Sequence, residues 1–208
     1  MVFSSAMTSF RPRGSGLSTG AAWVVIAGLV AGEGLQHGLG AAVRAMPYAA
    51  AACVLGWVLG WQPRVDVRED GVLLVNPWRT ITVPWEALVQ VTTRYALTLV
   101  TPHGRYSAWA APAPGRHSVF LAGDNDLRGL PRGTFDAHRA VGLGDLPGSG
   151  SGGAAALVRA RWERLVETEA LETGVADTTP VTVRWHTTTI AVVVGLLIAG
   201  AVVQWAAA

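Results

Sequence analysis

Apolar residues fall in three blocks, and a stretch of alternating apolar and polar positions lies between the second block and the third. The last block, Thr187 to Ala206, contains no charged residue and is flanked by Trp185 and Trp205. At ~1.5 Å per helical residue the two tryptophans stand ~30 Å apart. That is the thickness of a bilayer's hydrocarbon core, at whose edges indole rings favour the headgroup level. The pattern predicts a transmembrane helix over 185–206. The first block runs from Gly20 to Leu39 and the second from Ala42 to Trp61. The connection between them is short enough for an antiparallel helical hairpin. Ala21 to Gly32 is cleanly apolar, after which Glu33, Gln36 and His37 interrupt the run. A cleaved signal peptide is the competing reading of the first block, with Arg11 and Arg13 as its basic region and Val30-Ala31-Gly32 as a poor cleavage site.

Between the blocks the period changes from helical to two. Arg64-Val-Asp-Val-Arg68 alternates, Glu69-Asp70-Gly71 is a tight turn, and Val72 to Val75 is the returning strand. Asn76-Pro77-Trp78-Arg79 turns the chain again, followed by Thr80 to Val83, Leu88 to Thr92, Ala96 to Val100 and, after Pro102-His103-Gly104, Arg105 to Trp109. Strands this short and this evenly spaced predict an antiparallel sandwich or small barrel. Farther on, Val158, Trp162, Leu165 and Val166 fall on one helical face within 154–173. Glycine-, proline- and serine-rich runs mark both ends of 112–153 as linker-like.

Composition narrows the function. The formal charge of +2 comes from sixteen arginines, no lysine, and fourteen acids. The arginines are scattered singly, whereas nucleic acid binding needs a basic stripe. One cysteine, Cys53, excludes a disulfide framework and a thiolate metal site. His117, Asp124, Asp126, Asp136 and His138 share no metal-ligand spacing, so no metal is expected. There is no Gly-x-Ser-x-Gly elbow, and Gly148 to Gly153 lacks the lysine of a phosphate-cradling loop. Neither an enzyme nor a bound cofactor is expected. Glu33 and His37 lie four residues apart on one helical face. An ionisable pair within a span is a candidate functional feature, and a place among the outer headgroups is its plainer explanation.

Residues 61–109 resemble the bacterial PH-domain family of small membrane-anchored proteins, the group that includes a low-molecular-weight protein antigen. The resemblance rests on Val65-x-Val67, Asp70-Gly71-Val72, Asn76-Pro77-Trp78-Arg79-Thr80, Val83-Pro84-Trp85 with Val91, and the Gly104-Arg105 turn after the Leu97 to Val100 strand. A membrane hairpin immediately upstream is the family's usual context. The resemblance implies a non-enzymatic module, a PH-like antiparallel β half-barrel whose open end is plugged by the helix of 154–173. Eukaryotic PH domains hold inositol phosphates with basic residues around the first hairpin, where this chain has Glu69 and Asp70.

The expected order is therefore a cytoplasmic tail over 1–19, a transmembrane hairpin over 20–61 and the β domain over 62–111. A flexible insertion over 112–153, a capping helix over 154–173, a linker over 174–184 and a last transmembrane helix over 185–206 complete it. Arg11, Arg13, Arg64, Arg68 and Arg184 flank the spans on one side, which the positive-inside rule makes cytoplasmic. Trp57, Trp61, Trp185 and Trp205 are the expected membrane-interface anchors. Arg64, Arg68, Trp78 and Arg79 are candidates for contact with a partner or with anionic lipid, at about 1 kcal/mol per arginine beside a charged bilayer. The expectation is a scaffold or sensor in the cell membrane with the bilayer and a membrane protein as partners. Anionic headgroup binding and an accessory role in a transport complex are its alternatives.

Overall fold

The computed structural model describes residues 8–12, 14–113, 150–169, 171 and 174–207. These divide into two compact units, one within 1–12 and 64–184 and the other within 13–63 and 185–208.

The helical unit consists of α1 (Ser15–His37), α2 (Leu39–Gly56, extended by a π-helical turn over Trp57–Trp61) and α4 (Thr187–Ala206). All three are long and apolar enough to cross a membrane. Gly38 turns α1 into α2 with a φ of 84°, a left-handed conformation that glycine adopts without a Cβ penalty. Small residues let the helices approach, as they do where lipid removes the hydrophobic drive for association. A Cβ on Gly56 would lie 3.4 Å from the Trp23 indole nitrogen, and one on Gly60 would overlap the Thr19 hydroxyl. The Gly56-x-x-x-Gly60 spacing is thus a packing face of α2 against α1, and Trp23 Nε1 donates across it to the Cys53 carbonyl at 3.1 Å. Gly200 of α4 does the same for Tyr48 of α2, whose ring would stand 2.7 Å from an added Cβ.

Among the described residues the β unit holds eight strands in two sheets. In the first, of five strands, the order is β1 (Thr8–Phe10), β2 (Arg64–Val67), β3 (Gly71–Val75), β4 (Arg79–Pro84) and β8 (Thr182–Trp185). The second, of three, runs β5 (Gln90–Thr92), β6 (Ala96–Thr101) and β7 (Gly104–Pro112). The strands expected between Arg64 and Trp109 are β2 to β7, and the fold is the PH-like architecture with apolar helices on both sides in sequence. Val65, Val72, Leu74, Ile81, Val83, Trp85, Leu97 and Leu99 form the core between the sheets. Their alternation with half-exposed residues on β4 and β6 is the period of a sheet with one covered face. Trp85, in the short 3₁₀ turn after β4, is 2% exposed and donates its indole N–H to the Arg68 carbonyl at 3.1 Å.

The helix α3 (Gly150–Glu167) packs on β7, β6, β5 and β2, as a capping helix should. It starts four residues earlier than its apolar period implies, inside the run that composition marks as linker. Ser151, Ala154, Ala155 and Val158 are completely buried, with Trp162 and Leu165 packed against the core. Glycine and serine serve close approach there: a Cβ on Gly150 would touch the Pro112 carbonyl at 3.4 Å. Val166, expected on the buried stripe, is 56% exposed, because the helix turns its 151-154-158-162-165 face inward instead.

Two expected connections are ordered secondary structure. Thr8–Phe10, in the expected tail, pairs with β2 in register Ser9 to Asp66, and α1 already starts at Ser15. In the expected linker over 174–184, Val181 and Val183 pack against the core, and β8 forms the far border of the larger sheet. Both segments are short and polar, so neither shows its sheet partner, which lies far away in sequence, in a local pattern. Most of the expected insertion, including His117, Asp124, Asp126, Asp136 and His138, lies outside the described residues.

Candidate functional site

The residues expected to meet a partner or lipid sit on the first sheet and its turns. Arg64 opens β2, and its Nε donates to Asp66 at 2.9 Å. Asp66 is itself 9% exposed and accepts a second bond from the Ser9 hydroxyl at 2.7 Å. That carboxylate therefore ties Arg64 to the β1–β2 pairing and draws its charge into the sheet. Arg68 is half-buried and closes the first hairpin through its backbone, its N–H donating to Gly71 at 2.9 Å. Glu69 and Asp70 stand exposed at the tip of that turn. Gly71 is required there by close approach, since a Cβ would overlap the Val83 carbonyl of β4. Trp78 and Arg79 are half-buried in the second turn. The expected candidates thus give no convergent, exposed group of cations.

Asn76 explains the shape of this region. Its side-chain nitrogen donates to the Ser107 carbonyl at 2.9 Å, and its side-chain oxygen accepts the Trp109 backbone N–H at 2.8 Å. One amide thereby reads a donor and an acceptor of β7 and fastens the end of β3, in the first sheet, to the second. Pro77, buried beside it, holds the backbone of the turn.

The outer face of the second sheet presents a different chemistry. Arg105, Ser107 and Trp109 alternate along β7 on its exposed side, and Trp109 is 58% exposed. Across the β6–β7 ladder the register is irregular between Ser107, which faces Thr98, and Pro112, which faces Ala96. Trp109 lies in that irregular stretch, and Tyr95 directly precedes β6 at the same end, 78% exposed with the Arg94 guanidinium 5.2 Å from its ring centre. Large exposed aromatics are the residues that concentrate binding energy at interfaces. Reading the sequence for basic contacts passes over both. The signal for Trp109 is its parity with Arg105 and Ser107, polar residues that mark a solvent face.

The expected membrane anchors are all exposed at their rings: Trp57, Trp61, Trp185 and Trp205. Trp61 also packs within its unit on the start of α1, where a Cβ on Gly16 would come within 2.8 Å of the indole. Glu33 and His37 form the expected pair, Nδ1 to Oε1 at 3.3 Å. Among the described residues no three His, Cys, Asp or Glu side chains come together in a metal-binding arrangement.

A family model described as Bacterial PH domain matches residues 62–148. This segment is similar to a bacterial PH domain. The match begins at the end of α2, takes in β2 to β7 and continues beyond Pro112. PH domains are generally non-catalytic modules, and the two sheets with their capping helix agree with that architecture. No curated protein and no solved structure matches the chain.

Proposed function

We propose that this protein is a non-enzymatic, membrane-anchored scaffold or sensor whose PH domain binds a protein partner at the cytoplasmic face of the cell membrane. The observation that carries the reading is the exposure of two aromatics of the three-stranded sheet, Tyr95 just before β6 and Trp109 on β7. Two features speak against headgroup recognition through the first hairpin: the acids at its tip, and the engagement of Arg64 with Asp66. The arginines that flank the spans support the cytoplasmic side.

The test places a photo-crosslinking amino acid at position 95, 109 or 70 of the full chain in living cells. The expected result is one and the same protein adduct from positions 95 and 109 and none from position 70. Lipid adducts alone at 95 and 109 would sink the proposal. A headgroup-selective adduct at position 70 would replace it with lipid recognition at the first hairpin.

A further inference from the structure

The helical unit contains a pocket of about 350 Å³ lined by Glu33, Ala41, Arg44, Ala45, Tyr48 and Gln204. Its polar groups come from all three helices: Glu33 from α1, Arg44 and Tyr48 from α2, Gln204 from α4. At ~1.5 Å per residue, Glu33 lies about 27 Å along α1 from Ser15, Arg44 about 26 Å from Trp61, and Gln204 about 26 Å along α4 from Thr187. The pocket therefore occupies one level near the ends of all three spans, which is the headgroup level of a bilayer ~30 Å thick in its hydrocarbon core.

Glu33 and Arg44 carry opposite charges into this space, and they form no ion pair with each other. Glu33 has His37 at 3.3 Å on one oxygen. A carboxylate has about four acceptor sites, so capacity remains. Arg44 offers a planar fork suited to two oxygens of one phosphate. Tyr48 and Gln204 add groups that both donate and accept. Two opposite charges that line one pocket without pairing with each other are complementary to a ligand that carries both signs, and mismatched to one that carries a single sign.

We infer that this pocket binds a phosphoethanolamine zwitterion, its ammonium on Glu33 and its phosphodiester on Arg44. The headgroup of phosphatidylethanolamine and soluble glycerophosphoethanolamine share that chemistry. The site is separate from the PH-domain surface, and its test does not depend on a protein partner.

The full chain in detergent is exposed to equimolar phosphatidylethanolamine and phosphatidylglycerol of matched acyl chains, and bound lipid is read by native mass spectrometry. The phosphatidylethanolamine adduct should exceed the other by several-fold. Glu33→Gln and Arg44→Gln should each lower it by about tenfold, the scale of a lost hydrogen bond to a charged group. Glu33→Gln should also turn the preference toward phosphatidylglycerol, because the cation then stands alone. Far-ultraviolet circular dichroism checks that each variant keeps its helices. Equal occupancy by the two lipids in the unaltered chain overturns the inference, as does an unchanged preference in correctly folded variants. Displacement of the lipid by glycerophosphoethanolamine supports the assignment with a soluble source; retention of the selective adduct supports it with the lipid as the source.

Discussion

At the scale of single residues, Asn76 does the work that in most sheets is shared by a ladder. Its amide meets one acceptor and one donor of β7, so the two functions of the side chain are not interchangeable. In Asn76→Asp the donor to Ser107 becomes a second oxygen facing a carbonyl, with almost no change of shape. A loss of about 1–3 kcal/mol is expected, since a buried acceptor is left facing a like partner. Chemical denaturation of the full chain, followed by tryptophan fluorescence, measures it; an unchanged midpoint would remove Asn76 from this role. The sequence shows why such a residue is hard to see. Asn-Pro is legible as a turn, but its partners lie thirty-one and thirty-three positions away, and no local period encodes them. Trp85 is the opposite case, since its place next to an alternating strand already marks it for the core. Trp109 falls between: its exposure follows from strand parity, yet its place in an irregular register is one that only the folded sheet displays.

At the scale of elements, α3 shows how composition and packing diverge. Glycine and serine read as linker because they cost the most backbone entropy to order. Where a helix must lie close on a sheet, the same small side chains are what the contact demands. Ala155→Leu should destabilise the β unit by about 1–3 kcal/mol through overpacking. Val166→Ser, on the exposed side, should stay within about 0.5 kcal/mol of the parent. Thermal unfolding of the two variants decides between this face and the one expected from the 158-162-165-166 stripe; equal loss in both would favour the latter. The six strands from Arg64 to Pro112 and the three apolar helices were legible because each repeats one period over several residues. The border strands β1 and β8, three and four residues long, are too short for that.

At the scale of the whole molecule, contacts within the helical unit constrain topology. Trp61 packs on Gly16, so the start of α1 and the end of α2 lie together. Gln62 Nε2 and His186 Nδ1 are 3.0 Å apart, so α4 starts at that same end. In a Cys53→Ser background, single cysteines at Ser9, Asp70 and Asp177 should react with a membrane-impermeant thiol reagent from one face. Cysteines at Gly38 and Ala207 should react from the other. Labelling of position 207 together with position 70 would mean that the last helix does not cross. The expectation from the distribution of arginines is that the face shared by positions 9, 70 and 177 is the cytoplasmic one.

The same arrangement sets an order of events during biosynthesis. Ser9 leaves the ribosome long before its partner Asp66, and two membrane helices are made between them. An unconstrained loop of that length would charge its closure entropy to the sheet; a helical hairpin formed first would bring its two ends together beforehand. The opposite border waits longer still, because β8 is translated just ahead of the last span. Completion of the sheet therefore waits until β8, just ahead of the last apolar helix, has been made. A ribosome stalled before Thr182 would hold a domain whose β4 edge is still open to other strands.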